Sequence, residues 1–249
     1  MKETERKEEK LAGGEIVIRN RLFTWLDNFW YHYKWHVIVV AFFVLVSAIC
    51  FVQCGTKNKT DATVTFAGGY TLTPEERTQI LDVLAAIAPE KADGTGRMSL
   101  ALNTYSIYTE EELKTAYTDP NTNTLSSYAY NNAKQVNADH YKTFSTYVMT
   151  GEGAVWLVSE YVYQSQGLDT RAMPLKELFG DDLPQGAYDA CAIRLADTEL
   201  YRYYDALKIL PEDTLILFPR STFMGASSDK ETYAEFERVY RAIVEFRVP

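Results

Sequence analysis

Residue types that usually carry catalysis are scarce in this sequence. Its 249 residues include three histidines and three cysteines, of which only His140 and Cys191 lie beyond residue 54. His140 falls on the apolar face of a predicted helix, where a hydrogen-bonded structural histidine is expected. Cys191 lies in the apolar segment "DACAIRL", which predicts a small buried thiol. Asp181-Asp182 is followed by Leu-Pro, which adds no oxygen ligand for a hard cation. We predict no catalytic residue, no metal ligand and no cofactor.

Tyrosine is the one residue with binding chemistry that is present in excess. Sixteen of the 18 tyrosines follow residue 54. An aromatic face with a polar tip suits sugar or peptide recognition, although tyrosine also fills half-exposed strand positions without any ligand. In open α/β sheets a ligand lies beyond the carboxyl ends of the strands. The candidate ligand-binding residues at such positions are Tyr70, Tyr105, Ser159 and Tyr161.

Two functional classes fit these residues. One is a non-catalytic recognition domain for a small solute or a neighbouring envelope protein. The other is a cell-envelope enzyme that acts on glycans through paired carboxylates. Nucleic acid is not a predicted partner, because the net charge is −9 and residues 37–249 hold 18 basic against 28 acidic side chains.

The alternation of elements predicts an α/β domain over residues 62–249, with a mixed, mainly parallel sheet flanked by helices. Alternating apolar residues over 62–66 predict a half-buried strand. The segment "TPEE" at 73–76 has the capping box and the N1 proline of a helix start. With a strand predicted over 97–108, these elements form a β-α-β unit of the parallel type.

The rest of the domain predicts further helices and strands. Turn-forming residues over 118–132 predict a loop, and the apolar spacing over 133–147 predicts an amphipathic helix. Two continuous apolar runs, 154–159 and 214–218, predict strands that are covered on both faces. A capping box that starts at Ser228 predicts the beginning of the last helix.

The longest apolar run predicts a membrane anchor. Residues 37–52 carry no charge and span roughly 24 Å as a helix, and the flanking residues extend the predicted transmembrane helix to 35–54. A polar linker follows at 55–61. The alternative is a cleaved signal peptide or a lipid attachment near Cys54.

Aromatic and basic residues directly precede the span. The rings of Trp30, Tyr33 and Trp35 favour the headgroup level of a bilayer, and Lys34 can reach lipid phosphates. These residues form a predicted membrane interface, with a short helix lying in the interface at the end of a cytoplasmic tail, residues 1–34.

The distribution of basic residues predicts the orientation. Arg19, Arg21 and Lys34 lie within about 20 residues before the span, and Lys57 and Lys59 follow it. The excess before the span places the N-terminus in the cytoplasm and the α/β domain outside the cell membrane. The predicted partners are therefore the lipid bilayer and a small solute or an envelope protein.

Two segments resemble parts of extracellular solute-binding proteins. The segment "HYKTFSTYVMTGEGAVWLVSEYVYQSQ" (140–166) resembles their helix–glycine–strand–helix step, and "LILFPRSTFMGASSDKETYAEFERVYRAIVEF" (215–246) resembles their closing strand, loop and last helix. A single span behind an aromatic-basic tail resembles the anchored domains of Gram-positive bacteria. The resemblance implies ligand contacts at the far end of the strand in the first segment. Ala154 replaces the acidic residue that is usual before that strand, and the domain is too short for two full lobes, which implies a reduced, degenerate relative.

Overall fold

The computed structural model describes residues 21–55, 60–223 and 225–248, and the chain divides into two compact units between Asn58 and Lys59. Helix α1 (Arg21–Gly55) belongs to the first unit. The second unit has the predicted α/β fold. Its described helices and strands are β1 (Ala62–Gly68), α2 (Pro74–Ile87), β2 (Leu100–Ser106), α3 (Glu110–Ala116), α4 (Ser127–Met149), β3 (Val155–Val158), α5 (Glu160–Ser165), α6 (Leu175–Phe179), β4 (Ala192–Arg194), α7 (Glu199–Tyr203), β5 (Leu215–Leu217) and α8 (Lys230–Val244).

Helix α1 exposes an apolar surface. Its segment Phe29–Cys50 has 22 residues, a mean hydropathy of 2.0 and no buried part. Among the described residues this is the one helix that is long and apolar enough to cross a membrane, by length and composition. The helix fits a single-pass membrane protein, as the sequence predicts.

The structure differs from the sequence prediction before the span. A separate short helix is predicted there, but α1 continues without a break from Arg21 to Gly55. No proline or glycine lies between residues 21 and 54, so nothing in the backbone chemistry interrupts the helical hydrogen bonds. Residues 1–20 of the predicted tail and 56–59 of the predicted linker lie outside the described residues.

The strands form one mixed sheet in the order β2-β1-β3-β5-β4. Strand β1 pairs in parallel with β2 over seven residue pairs and with β3 over four, whereas β5 pairs antiparallel with β3 and with β4 over three pairs each. The mainly parallel sheet predicted from the sequence is confirmed. The parallel pairing brings the carboxyl ends of β1, β2 and β3 to the same end of the sheet.

Strand β1 is buried on both faces, so the prediction of a half-buried strand is wrong. Val64 and Phe66 pack into one hydrophobic cluster, and Ala67 packs into a second cluster on the opposite face. Thr65, which is also fully buried, donates its hydroxyl hydrogen to the Tyr147 hydroxyl at 3.0 Å. At Thr65 the alternation of threonine with apolar residues therefore marks a paired polar group, not a water-facing side.

Strand β3 is buried throughout, as its continuous apolar run predicts. Helix α2 begins with the predicted capping box between Thr73 and Glu76. The last helix begins one residue later than predicted, because Asp229 and not Ser228 is its N-cap. The Asp229 carboxylate accepts the Thr232 N–H at 2.9 Å, and aspartate and serine are equally good caps.

Helix α4 is longer than its sequence predicts. It begins at Ser127, inside the predicted loop 118–132, and ends at Met149. The turn-forming asparagines in its first turns do not break it, because neither proline nor glycine occurs between residues 127 and 149. The extension adds almost two turns, which face helix α3 and bound the candidate site described below.

Among the described residues, two buried hydroxyl groups lack a hydrogen-bond partner, those of Thr214 and Tyr240. Tyr240 of α8 packs its ring against Phe218 and Phe179, with ring centroids at 5.3 and 6.2 Å. Its hydroxyl is buried and has no hydrogen-bond partner among the described residues. Burial raises the pKa of this tyrosine. A buried hydroxyl without a partner costs about 1–3 kcal/mol, so the ring, not the hydroxyl, stabilises this part of the core.

We expect Tyr240→Phe to raise the free energy of unfolding by about 1 kcal/mol, because it removes the unpaired hydroxyl and keeps the ring. Thermal unfolding of the full-length protein measures the change. The matched control is Tyr163→Phe, whose hydroxyl donates to the Asp189 carboxylate at 2.5 Å. The control loses a charge-assisted bond and is expected to lower the stability by about 1–3 kcal/mol. A destabilised Tyr240→Phe protein would contradict the structure.

Candidate functional site

Strand β2 lies at the edge of the sheet, so half of its backbone groups have no strand partner. Ile107 N–H, directly after the strand, donates to Gly68 O of β1 at 2.8 Å. The carbonyl of the same peptide unit, that of Ser106, therefore points away from the sheet. His140 Nδ1 of helix α4 lies 3.0 Å from this oxygen. A carbonyl oxygen only accepts, so Nδ1 carries the proton and donates. The hydrogen-bonded histidine predicted from the sequence is confirmed.

Asn137 makes a second contact between α4 and the chain after β2. Its Oδ1 accepts the Tyr108 N–H at 2.8 Å, and its Nδ2 donates to Tyr108 O at 3.0 Å. Asn137 and His140 are three residues apart and thus lie on one face of the helix. Together they satisfy three backbone groups at the carboxyl end of the edge strand.

A cavity of about 570 Å³ lies between α3, α4 and this end of β2, and we call it the α3–α4 cavity. Its size falls within the range of small-molecule sites, about 300–1,000 Å³. No Asp, Glu, Lys or Arg of the described chain lines it. The lining residues are Thr71, Ser106, Tyr108, Leu113, Ala116, Tyr117, Tyr128, Ala129, Asn132, Ala133, Val136, Asn137 and His140.

The cavity has a polar side and an apolar rim. On the polar side, Thr71 Oγ1 lies 2.8 Å from both Ser106 Oγ and the Tyr108 hydroxyl. On the rim, Tyr128 is 88% exposed and Val136 is 47% exposed. Exposed apolar side chains beside a cluster of neutral hydroxyl groups suit a ligand that has both an apolar face and hydrogen-bonding groups.

None of the four predicted ligand residues lines the α3–α4 cavity. Tyr70 donates its hydroxyl hydrogen to Glu76 Oε1 at 2.7 Å, next to the start of α2. Ser159 is the N-cap of α5 and accepts the Val162 N–H, and Tyr161 is an exposed residue of that helix.

Tyr105 does not line the cavity, although its ring also lies against α4. Its ring packs against Phe144 and Tyr147 and lines a shallow depression along α4. Desolvation raises the pKa of Tyr105, and burial raises the pKa of Tyr147 to about 12. Successive strand residues face opposite sides, so it is the next residue, Ser106, that reaches the cavity.

The structure therefore does not bring the four predicted residues together. Two of them are sequence neighbours of residues that do line the cavity, since Thr71 follows Tyr70 and Ser106 follows Tyr105. The cavity lies at the carboxyl end of β2, where the sequence rule predicts a ligand. The signal that was missed is the polar face Asn137/His140 of the predicted helix.

The predicted interface residues all lie on α1. Trp30, Tyr33, Lys34 and Trp35 are exposed there, and the Tyr33 ring stacks on Phe29 at 5.2 Å. Their location at a bilayer surface stays a prediction.

Cys191 and Asp181, which the sequence analysis considered for reactivity and cation binding, have structural environments. Cys191 is buried, as predicted, and desolvation raises the pKa of its thiol. Asp181 is 94% exposed and pairs with Lys176 at 3.2 Å, which fits a solvated turn. Over the described ranges, no group of three or more His, Cys, Asp or Glu side chains is placed to hold a metal ion.

Comparison of the chain with protein families, with curated proteins and with solved structures finds no match. The resemblance to extracellular solute-binding proteins therefore stays a prediction. What the α3–α4 cavity can bind has to follow from its own chemistry.

We expect Asn137→Ala to lower the free energy of unfolding by about 1–3 kcal/mol, because two hydrogen bonds to the Tyr108 backbone are lost. Denaturant unfolding of the full-length protein measures the loss. The control is Asn132→Ala, an exposed residue of the same helix that also lines the cavity. Its effect is expected to stay within about 0.5 kcal/mol. Equal effects of the two substitutions would show that Asn137 does not hold α4 to the strand.

Proposed function

We propose that this chain is a single-pass membrane protein that presents a non-catalytic α/β recognition domain at the outer face of the cell membrane. The α3–α4 cavity is its binding site for a small solute, as in a reduced relative of the solute-binding proteins. The observation that carries this function is the lining of the cavity. Small-ligand sites combine apolar walls with a few placed polar groups, and this cavity has both.

The absence of carboxylates from the lining favours binding over glycan hydrolysis at this site. Hydrolysis through paired carboxylates needs two such groups on opposite sides of the sugar linkage. Four described carboxylates, those of Asp182, Asp197, Glu199 and Glu245, line a different and smaller cavity of about 280 Å³. There Glu199 already forms an ion pair with Arg247 at 3.4 Å.

The apolar helix and its flanking residues support the placement at the membrane. Phe29–Cys50 is long enough to cross the hydrocarbon core of a bilayer. Trp30 and Trp35 are suited to the headgroup region at its beginning. The basic residues before the uncharged run 37–52 favour an N-terminus in the cytoplasm, which leaves the domain outside.

Labelling with a membrane-impermeant maleimide tests the topology. Cys50, Cys54 and Cys191 are first replaced by alanine, and a single cysteine is then introduced as Asp181→Cys or Lys2→Cys. We expect Asp181→Cys to be labelled in intact cells, since position 181 is highly exposed on the domain. Lys2→Cys is expected to react only after the cells are permeabilised. The reverse pattern would place the domain in the cytoplasm and exclude the proposed function.

A thermal-shift screen of the full-length protein in lipid nanodiscs tests the binding site. Sugars, amino acids and short peptides are the compounds. We expect a saturable stabilisation that Ala133→Trp abolishes, because the indole fills the cavity. Ala138→Trp, on an exposed position of α4 that does not line the cavity, is the matched control and keeps binding. Stabilisation that persists in Ala133→Trp would show that the ligand does not bind in the α3–α4 cavity. Formation of a product from one of the compounds would favour the alternative of an enzyme.

A further inference from the structure

Three hydroxyl groups of the α3–α4 cavity form a chain with one direction. Thr71 Oγ1 donates to Ser106 Oγ at 2.8 Å, which uses the single hydroxyl hydrogen of Thr71. The 2.8 Å contact between Thr71 Oγ1 and the Tyr108 hydroxyl must then be donated by Tyr108. The chain therefore runs from Tyr108 through Thr71 to Ser106. The Ser106 hydroxyl hydrogen has no acceptor within the described residues, and the preceding bonds polarise it as a donor.

His140 supplies an acceptor to the same cavity. Because its Nδ1 donates to Ser106 O, Nε2 of the neutral ring keeps an available lone pair. No hydrogen bond from a described residue reaches Nε2. The cavity thus offers a hydroxyl donor on Ser106 and a nitrogen acceptor on His140, two residues that are joined directly by a hydrogen bond.

This pair of groups discriminates between ligand types. A hydroxyl group donates and accepts at once, so hydroxyl groups of one ligand can satisfy both Ser106 and His140. A carboxylate cannot donate, and an ammonium cannot accept, so each would leave one of the two groups unpaired. A charged ligand would also be desolvated without a counter-charge, because no Asp, Glu, Lys or Arg lines the cavity.

The aromatic rim of the cavity adds a further constraint on the kind of ligand that fits. Beside the cavity, the Tyr117 ring is partly exposed and the Tyr128 ring is highly exposed. Such rings can cover the apolar face of a ring-shaped ligand while its hydroxyl groups remain paired. Taking the cavity to be a binding site, as proposed above, we propose that its ligand is a neutral saccharide whose hydroxyl groups accept from Ser106 and donate to His140.

Calorimetric titration of the full-length protein in lipid nanodiscs tests the ligand class, since nanodiscs avoid detergents with sugar headgroups. The probes are tri-N-acetylchitotriose and maltotriose, which are neutral, and the triamine made by removing the three acetyl groups from the former. The triamine keeps the same sugar skeleton and carries three ammonium groups. We expect both neutral trisaccharides to bind and the triamine to bind at least about tenfold more weakly.

Two substitutions test the contributions of the hydroxyl donor and the nitrogen acceptor separately. Ser106→Ala removes the terminal donor of the hydroxyl chain. His140→Asn places its amide nitrogen where Nδ1 was, so it keeps the bond to Ser106 O and loses only the Nε2 acceptor. Each is expected to weaken the binding of a neutral trisaccharide about tenfold. The control is Thr143→Ala on the same helix, whose hydroxyl donates to Asp139 O and does not line this cavity.

The outcomes distinguish this ligand class from the binding function itself. Neutral saccharide binding that Ser106→Ala and His140→Asn weaken, and Thr143→Ala does not, supports the saccharide. Equal or tighter binding of the triamine overturns it, and so does saccharide binding that neither substitution changes. If another compound class binds and Ala133→Trp abolishes that binding, the saccharide is wrong and the cavity remains a binding site. If no compound class binds, both are wrong.

Discussion

The unpaired backbone at the carboxyl end of strand β2 is the constraint that shapes this domain. An edge strand leaves its outward carbonyl and N–H groups without partners, and an unpaired group away from water costs free energy. His140 donates to Ser106 O, and Asn137 pairs with both backbone groups of Tyr108. These bonds hold α4 beside the strand end. The cavity is the space that remains between α4, α3 and the chain that leaves the sheet.

The same contacts give the site its chemical character. Because His140 donates through Nδ1 to Ser106 O, its Nε2 is the nitrogen that can accept a hydrogen bond. The hydroxyl chain ends on Ser106, the residue whose carbonyl oxygen accepts this bond from His140. The polar groups of the site are thus fixed by bonds that also stabilise the fold. The first unit supplies a helix that is long and apolar enough to cross a membrane, by length and composition.

Local sequence signals predicted much of the fold. The capping box of α2, the continuous apolar run of β3 and the single apolar helix depend on neighbouring residues and are seen in the structure. The buried Thr65 of β1 is paired with Tyr147, which lies 82 residues away, so no local pattern contains this contact. The residues that line the α3–α4 cavity could not be predicted for the same reason. His140 and Ser106 form a hydrogen bond although they are 34 residues apart in the sequence. The first residues of α4 have a turn-forming composition, so their sequence predicts a loop and not a helix.

Hydrogen–deuterium exchange of the full-length protein in nanodiscs, with and without saturating tri-N-acetylchitotriose, tests the central claim most directly. The claim is that α3, the first half of α4 and the end of β2 form one binding site. We expect slower exchange over residues 106–117 and 127–140, and unchanged exchange in α8 on the other face of the sheet. Slower exchange elsewhere in the domain, with residues 106–140 unchanged, would contradict it.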